Sequence, residues 1–263
     1  MRVIDGSSLP WESAGNPGLK MKTVRRDDAG GSFLGLIAFE PWTATGVHQH
    51  LGTAFSLMLA GGLTDYVGTA GTGEMGINFL GSTHDAIAYM PSLMVSRLEG
   101  PVVYGPDISH SLHAGAVRRS VENAFPDMPP DCNLKLSAIK PMPTWMPGVE
   151  RRMIFDYLPT GDHRRLVDFM LLPGASVRAH RLSALVEIYV IAGDLCVSSG
   201  RDALATAGSF VIGEPGDEIA LRSRYGAHLL VWADGPASWL DAHEGPDFYG
   251  FDASFASPRG LNR

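Results

Sequence analysis

At 263 residues, with 45% hydrophobic side chains, the chain is long enough for one large domain or two ordinary ones with a real core. A formal charge of −7 at pH 7 argues against nucleic acid or an anionic membrane as partner, because both call for a basic patch. Charged residues at 19%, together with 31 Gly and 18 Pro, point away from long helices and towards many short strands joined by turns, an all-β class.

Taken in chain order, the first thirty residues lack a charged start followed by an apolar stretch, and no later run reaches the roughly 18 apolar residues of a membrane span. Cys132 and Cys196 sit in different halves without metal or redox spacing, as free thiols do in a reducing compartment. A soluble cytoplasmic protein is expected. Strand-like runs follow: "GSFLGLIAFEPW", "AFSLMLAGGLTDYVG", "HDAIAYMP" and "SLMVSRLEGPVVYG", punctuated by Gly and Pro. Residues 125–149 carry prolines at 126, 129, 130, 141, 143 and 147 and read as a linker, since proline suits neither a central strand nor a helix interior. The strand pattern then resumes with "RRMIFDY", "RRLVDFMLLPGASVRAH", "LVEIYVIAGDLCVSS", "AGSFVIGEPGDEIALRS" and "HLLVWAD". "FEPWTATGVHQHLGTAFSLMLAGGL" in the first half matches "LLPGASVRAHRLSALVEIYVIAGDL" in the second, so an internal duplication of about 110 residues is the economical reading. Many short strands per half suit a jelly roll or a small barrel.

His48 and His50 flank one residue, and a strand sends alternate side chains to one face, so both imidazoles point the same way. Two imidazoles begin a transition-metal site, but two ligands rarely hold an ion. Here the motifs resemble those of the cupins. His48 and His50 fill the HXH of the first cupin motif, which Gly61 closes. Gly73, Phe79 in the proline slot, Gly81 and His84 follow the second. The resemblance thus implies two tandem cupin (double-stranded β-helix, jelly-roll) barrels, with His84 as the third ligand. The expected domains are a barrel over 1–124, a linker over 125–149 and a degenerate barrel with a tail over 150–263. Three motif slots differ in the first barrel: Trp42 stands for the leading glycine, Ala54 for the glutamate and Ala88 for the asparagine. That barrel is therefore expected to offer three imidazoles and no carboxylate. In the second, His180 remains but Leu182, Val186 and Ile219 fill the other ligand slots, and Glu187 is one residue off and faces the other way. That barrel is expected to have lost its metal.

Within the cupins, "HQHLG" and "AFSLMLAGGLTDY" look like the branch containing 2,4'-dihydroxyacetophenone dioxygenase, the acetylacetone-cleaving dioxygenase and the ChrR anti-sigma factor. The resemblance implies a non-haem Fe(II) dioxygenase with one metal ion per chain, cleaving a C–C bond in a small diketone, hydroxyketone or aromatic ketone. Zn, Ni or Mn in the same ligands would instead suit an isomerase, hydratase or lyase, and a ligand-sensing module without catalysis is a third reading. By strand parity, Ser56 and Met58 share the face of Ala54 and point into the barrel. Arg97 and Glu99, two apart in an apolar strand, are either a substrate-binding pair or a salt bridge on a solvated face. Phe79 and Tyr104 are pocket candidates, with plain packing as the alternative, as for Tyr66 and Tyr89. His110 and His113 read as loop residues. A small-molecule substrate and a homodimer joined through sheet edges complete the expectation.

Overall fold

A computed structural model of the chain describes residues 1–108, 131–156, 162–241 and 247–250. His110, His113 and the prolines at 126, 129 and 130 lie outside the described residues. Twenty-five strands and three 3₁₀ turns make up its regular structure, with no α-helix among the described residues. None of the described helical segments is long and apolar enough to cross a membrane. The all-β expectation holds.

The chain divides into two compact units, Leu9–Ala138 and Met1–Ser8 with Ile139–Arg263. The boundaries differ from those expected. Cys132–Lys135, placed in a linker by its proline-rich surroundings, is a strand paired with Glu74–Asn78 of the first unit. Met142–Pro143 is a strand of the second unit, at one end of its sheet. Proline is tolerated at such an edge because no neighbour there needs its missing N–H. The counterpart of Cys132–Lys135 is Arg2–Asp5, which pairs with Ser209–Gly213 of the second unit. Each half of the sequence therefore opens with a strand that completes the other half's unit. The succession of short strand, 3₁₀ turn, short strand and long strand that starts at Arg2 restarts at Cys132, so the duplication is longer than the barrels alone.

The first unit has a seven-stranded antiparallel sheet and two smaller sheets of three and four strands. In the Ala54–Ala60 strand both sets of alternating side chains are shielded: Phe55 and Leu57 on one face, Ala54 and Met58 on the other. Such two-sided burial explains why this strand reads as a continuous apolar run rather than an alternating one. Cys132 and Cys196 are free, as expected.

The second unit has a large apolar core of its own. Val186, Ile188 and Val190 point into it, and Glu187, though fully buried, lies on the opposite face of the same strand. Phe248 and Tyr249 from the tail enter this core. Phe248 stacks on Phe169 with centroids 4.5 Å apart, and the Tyr249 hydroxyl donates to His180 Nε2 at 2.9 Å. The other ring nitrogen, His180 Nδ1, donates to the Arg178 carbonyl at 2.8 Å. With both nitrogens engaged and Leu182 and Ile219 packed in the same core, nothing in this arrangement forms a ligand set.

Burial pulls the His180 pKa down from 6.5 to about 4, despite the opposing hydrogen bond to Arg178. The unfolded chain therefore binds the extra proton more readily at every pH between those values. The stability gained by keeping His180 neutral is full above pH 6.5 and is lost as the pH falls through 4, about 3 kcal/mol in all at 1.36 kcal/mol per unit. Urea midpoints measured from pH 7 down to 4.5 should fall more steeply for the native chain than for His180→Gln.

Candidate metal centre

His48–His50 lies at the centre of a three-stranded sheet, with Thr83–His84 on one side and Val102–Tyr104 on the other. Register puts His84 and Tyr104 directly opposite His48, so these three side chains share a face. Strand parity adds His50 to it. The segment is set up by two positive-φ residues, Trp42 at 65° and Gly46 at 75°. Trp42, in the slot of the motif's leading glycine, adopts the left-handed conformation that glycine takes most readily, and its ring leans on Tyr89 in a T-shaped contact at 5.4 Å. Gly81, with φ 85°, turns the loop ahead of His84, and its N–H donates to the His50 carbonyl at 2.7 Å.

One ligand atom from each of His48, His50 and His84 lies within 4.8 Å of the others, and all three residues are buried. His50 Nε2 and His84 Nε2 are 3.0 Å apart. Two cis ligands each about 2.1 Å from an ion stand about 3 Å apart, so this spacing fits a shared metal. The outward nitrogens are committed elsewhere. His48 Nδ1 donates to the Gly46 carbonyl at 2.8 Å, and His84 Nδ1 lies 3.0 Å from Asp65 Oδ2. Both Nδ1–H tautomers leave Nε2 bare to face the centre. Burial, with the neighbouring imidazole His84 adding to it, lowers the His48 pKa to about 4. Burial and both other imidazoles hold His50 well below its usual value. Metal binding needs neutral imidazole, and these two supply it throughout the physiological range.

Asp65 is the residue that spacing did not reveal. It ends the Gly62–Asp65 strand, whose partner Ile87–Ala88 follows His84 closely in sequence, and this pairing brings the carboxylate behind the His84 ring. As expected, the converging ligand group among the described residues is three imidazoles with no carboxylate. Asp65 stands behind it, set to orient a ligand. Asp65 Oδ1 also accepts the Val67 N–H at 2.7 Å, which fixes the carboxylate in its turn. Asp131, read as linker, is a second hub. It accepts the Phe79 N–H at 2.8 Å and the hydroxyls of Ser82 and Tyr66, clamping the loop that carries His84. Burial, then the bond to Asp131, raises the Tyr66 pKa.

The three histidines, Asp65 and Tyr104 line a cavity of about 380 Å³. Ser56 and Met58 line it too, as parity predicted. Arg97 and Glu99 do not. They pair with each other at 2.9 Å, both side chains only 7% exposed, so they form a buried ion pair rather than a pair on a solvated face. Phe79 is buried away from the cavity wall and serves through its backbone N–H. Tyr89 packs on Trp42 at the surface. Ala88, in the asparagine slot, is core.

The profile of the ChrR cupin-like domain matches residues 1–102. Solved structures of the Bacillus subtilis oxalate decarboxylase are similar over nearly the whole chain. An arginine-to-alanine mutant matches with a TM-score of 0.65 at 12% identity, covering 91% of this chain and 79% of that one. The chain has a tandem cupin fold. The same decarboxylase at pH 4.6 matches at 0.63 and 13% identity, covering 91% and 78%. A structure from work on its Mn(II) centers matches at 0.64 and 12%, covering 91% and 79%. No curated protein matches the sequence. In the first cupin barrel the histidine slots hold a converging triad, while in the second the aromatic tail fills the space around the surviving histidine.

If His48, His50 and His84 hold a metal, Asp65→Asn is expected to weaken its binding by about 10- to 100-fold, through loss of the charge that makes the His84 ring a better donor. Competition against a chelator of known affinity measures it. An amide oxygen at the same place still accepts the Val67 N–H, so folding should be little changed.

Proposed function

We propose that the protein is a metal-dependent cupin oxygenase, with His48, His50 and His84 holding one divalent ion, and that it cleaves a C–C bond in a small ketone able to chelate. Fe(II) is the ion this reading favours. When bound, the ion supplies Lewis acidity and a template for a chelating ketone and dioxygen. The chain's own residues do the rest. Three uncharged ligands leave the ion's double positive charge uncompensated, which favours an anionic chelate such as an enolate. Asp65 keeps the proton of His84 on Nδ1 and so keeps Nε2 free. Tyr104, half exposed beside His48, lines the triad's edge of the cavity.

The observation that carries this reading is the buried triad opening on an apolar cavity. Its lining includes Phe33, Ile37, Met58 and Met94, together with Asp27 and Asp28, and Arg26 is the only lysine or arginine among the described residues that line it. A doubly charged acid such as oxalate would gain little from such a wall, and a ketone with an apolar body gains burial. A second reading has its own support. The ChrR-like match over residues 1–102 suits a barrel that binds metal or ligand without turnover, and the likeness to a manganese decarboxylase suits a non-oxidative enzyme.

Elemental analysis after reconstitution with Fe(II), Zn(II) or Mn(II), followed by oxygen uptake with acetylacetone, tests the proposal. Iron near one per chain with oxygen consumption supports it. Metal binding with ketone conversion but no oxygen uptake favours the non-oxidative class, and ligand binding without conversion favours the sensor. Absence of metal after all three reconstitutions overturns both enzyme readings.

A further inference from the structure

The large sheet of the first barrel presents its cavity face in rows set by register. Met58, Met94, Ile37 and Met21 are cross-strand partners in one row. Ala54, Leu98 and Phe33 form another, flanked by Asn78. Between these two apolar rows lies one of a different kind: Asn133, Gly76, Ser56, Ser96 and Gly35. The first four of these line the cavity that holds the triad.

Ser56 and Ser96 hydroxyls are 2.8 Å apart, and Ser96 is fully buried. Two hydroxyls bring two protons and four acceptor sites, and their mutual bond uses one of each. One proton and several lone pairs remain without a partner among the described residues. A hydroxyl proton facing an apolar cavity is costly unless a ligand or water takes it.

Gly76 makes room beside the pair. Its φ is not positive, and a Cβ there would meet nothing nearer than Asn133 Oδ1 at 3.7 Å, so neither backbone conformation nor a close neighbour demands glycine. Gly35, in contrast, would bring a Cβ to 2.1 Å from the Lys22 carbonyl oxygen. The space at Gly76 thus opens on the cavity.

We infer that the Ser56–Ser96 pair is a specificity subsite that binds a polar group at the far end of a ligand whose chelating head lies at the histidine triad. This rests on the metal-centre reading above. Ser56 stands two residues along its strand from Ala54, which fills the glutamate ligand slot of the first cupin motif, a step of about 6.8 Å. The ligand class is therefore a small, mainly apolar ketone with a chelating head and a hydroxyl or carbonyl oxygen about 7 Å away. Such a hydroxyl can accept the spare proton and donate to a lone pair of the pair.

The test compares 1-phenyl-1,3-butanedione with its 4-hydroxyphenyl analogue by calorimetry, on Zn(II)-loaded protein and on protein stripped with a chelator. The loaded protein is expected to prefer the hydroxylated compound by about five-fold. In Ser56→Ala and Ser96→Ala the preference should vanish, while affinity for the parent diketone stays within about two-fold. Gly76→Val, which fills the space beside the pair, should weaken the hydroxylated compound by about ten-fold. Equal affinity for the two compounds in the native protein, or a preference that survives in both serine variants, overturns the subsite. If zinc makes no difference to either diketone, the metal-centre reading fails. A preference that still disappears with the serines then upholds the subsite by itself.

Discussion

His84→Ala is expected to leave the protein unable to retain stoichiometric metal, while His180→Ala leaves metal content unchanged. The contrast follows from what each imidazole has around it. His84 is one of three residues whose ligand atoms converge within 4.8 Å, and Asp65 holds it from behind. Removing it leaves two ligands and an open side, too few for an ion that competes with water. His180 has the Arg178 carbonyl and the Tyr249 hydroxyl on its two nitrogens and belongs to no converging ligand group among the described residues. Thermal stability should report the same difference. At a thousandfold excess over Kd a ligand that binds only the folded state adds about 4 kcal/mol, and in His84→Ala added metal should no longer bring this increment. Elemental analysis and paired melting curves with and without added metal measure both. Metal retained by His84→Ala at full stoichiometry would remove the triad as the binding site.

The second large effect is expected far from the triad. Phe248→Ala should cost the second barrel about 3–5 kcal/mol, the usual range for deleting a buried aromatic ring. Phe248 is 1% exposed, stacks on Phe169, and makes further ring contacts with His180 at 5.8 Å and Trp239 at 6.1 Å. The surrounding strands are hydrogen-bonded into one sheet and cannot collapse around the missing ring, so the cost should fall in the upper half of that range. Tyr249→Phe isolates a smaller part of the same feature. It keeps the packing but leaves His180 Nε2 buried without its donor, at about 1–3 kcal/mol. Urea denaturation followed by tryptophan emission reads both, because Trp239 and Trp232 belong to this unit. A Phe248→Ala loss below about 1 kcal/mol would mean that the tail is not part of the core.

The all-β class and the duplication could be read along the chain because each depends on local pattern, and strand spacing put His48 and His50 on one face; His84 came only from the resemblance to the cupin motifs. Ser56 and Met58 were placed by the same parity. Asp65 was not, since nothing in "GGLTDYVG" distinguishes a hairpin carboxylate that reaches a histidine from one that faces water. Only the pairing of Thr64 with Ile87 decides it. Asp131 was hidden by prolines on both sides of it in sequence. Phe248 and Tyr249 of the tail pack around His180 in the second unit's core, a placement that no local pattern in the tail announces. Arg97 and Glu99 show the limit of the parity rule, which gives the face of a strand but not whether that face borders the cavity.

The exchange of opening strands ties the order of synthesis to the risk of misassembly. Leu9–Ala138 leaves the ribosome as one contiguous stretch and holds every strand of its own sheets. The second unit has to wait, because Arg2–Asp5 pairs with Ser209–Gly213, far along the chain from it. Long-range pairings of this kind form slowly, since the intervening chain must be closed first. Until Arg2–Asp5 docks, the entirely buried "SFVIG" strand presents a bare edge of the type that recruits other chains. A chain trimmed of its first eight residues would keep the whole first barrel intact and carry that adhesive edge permanently.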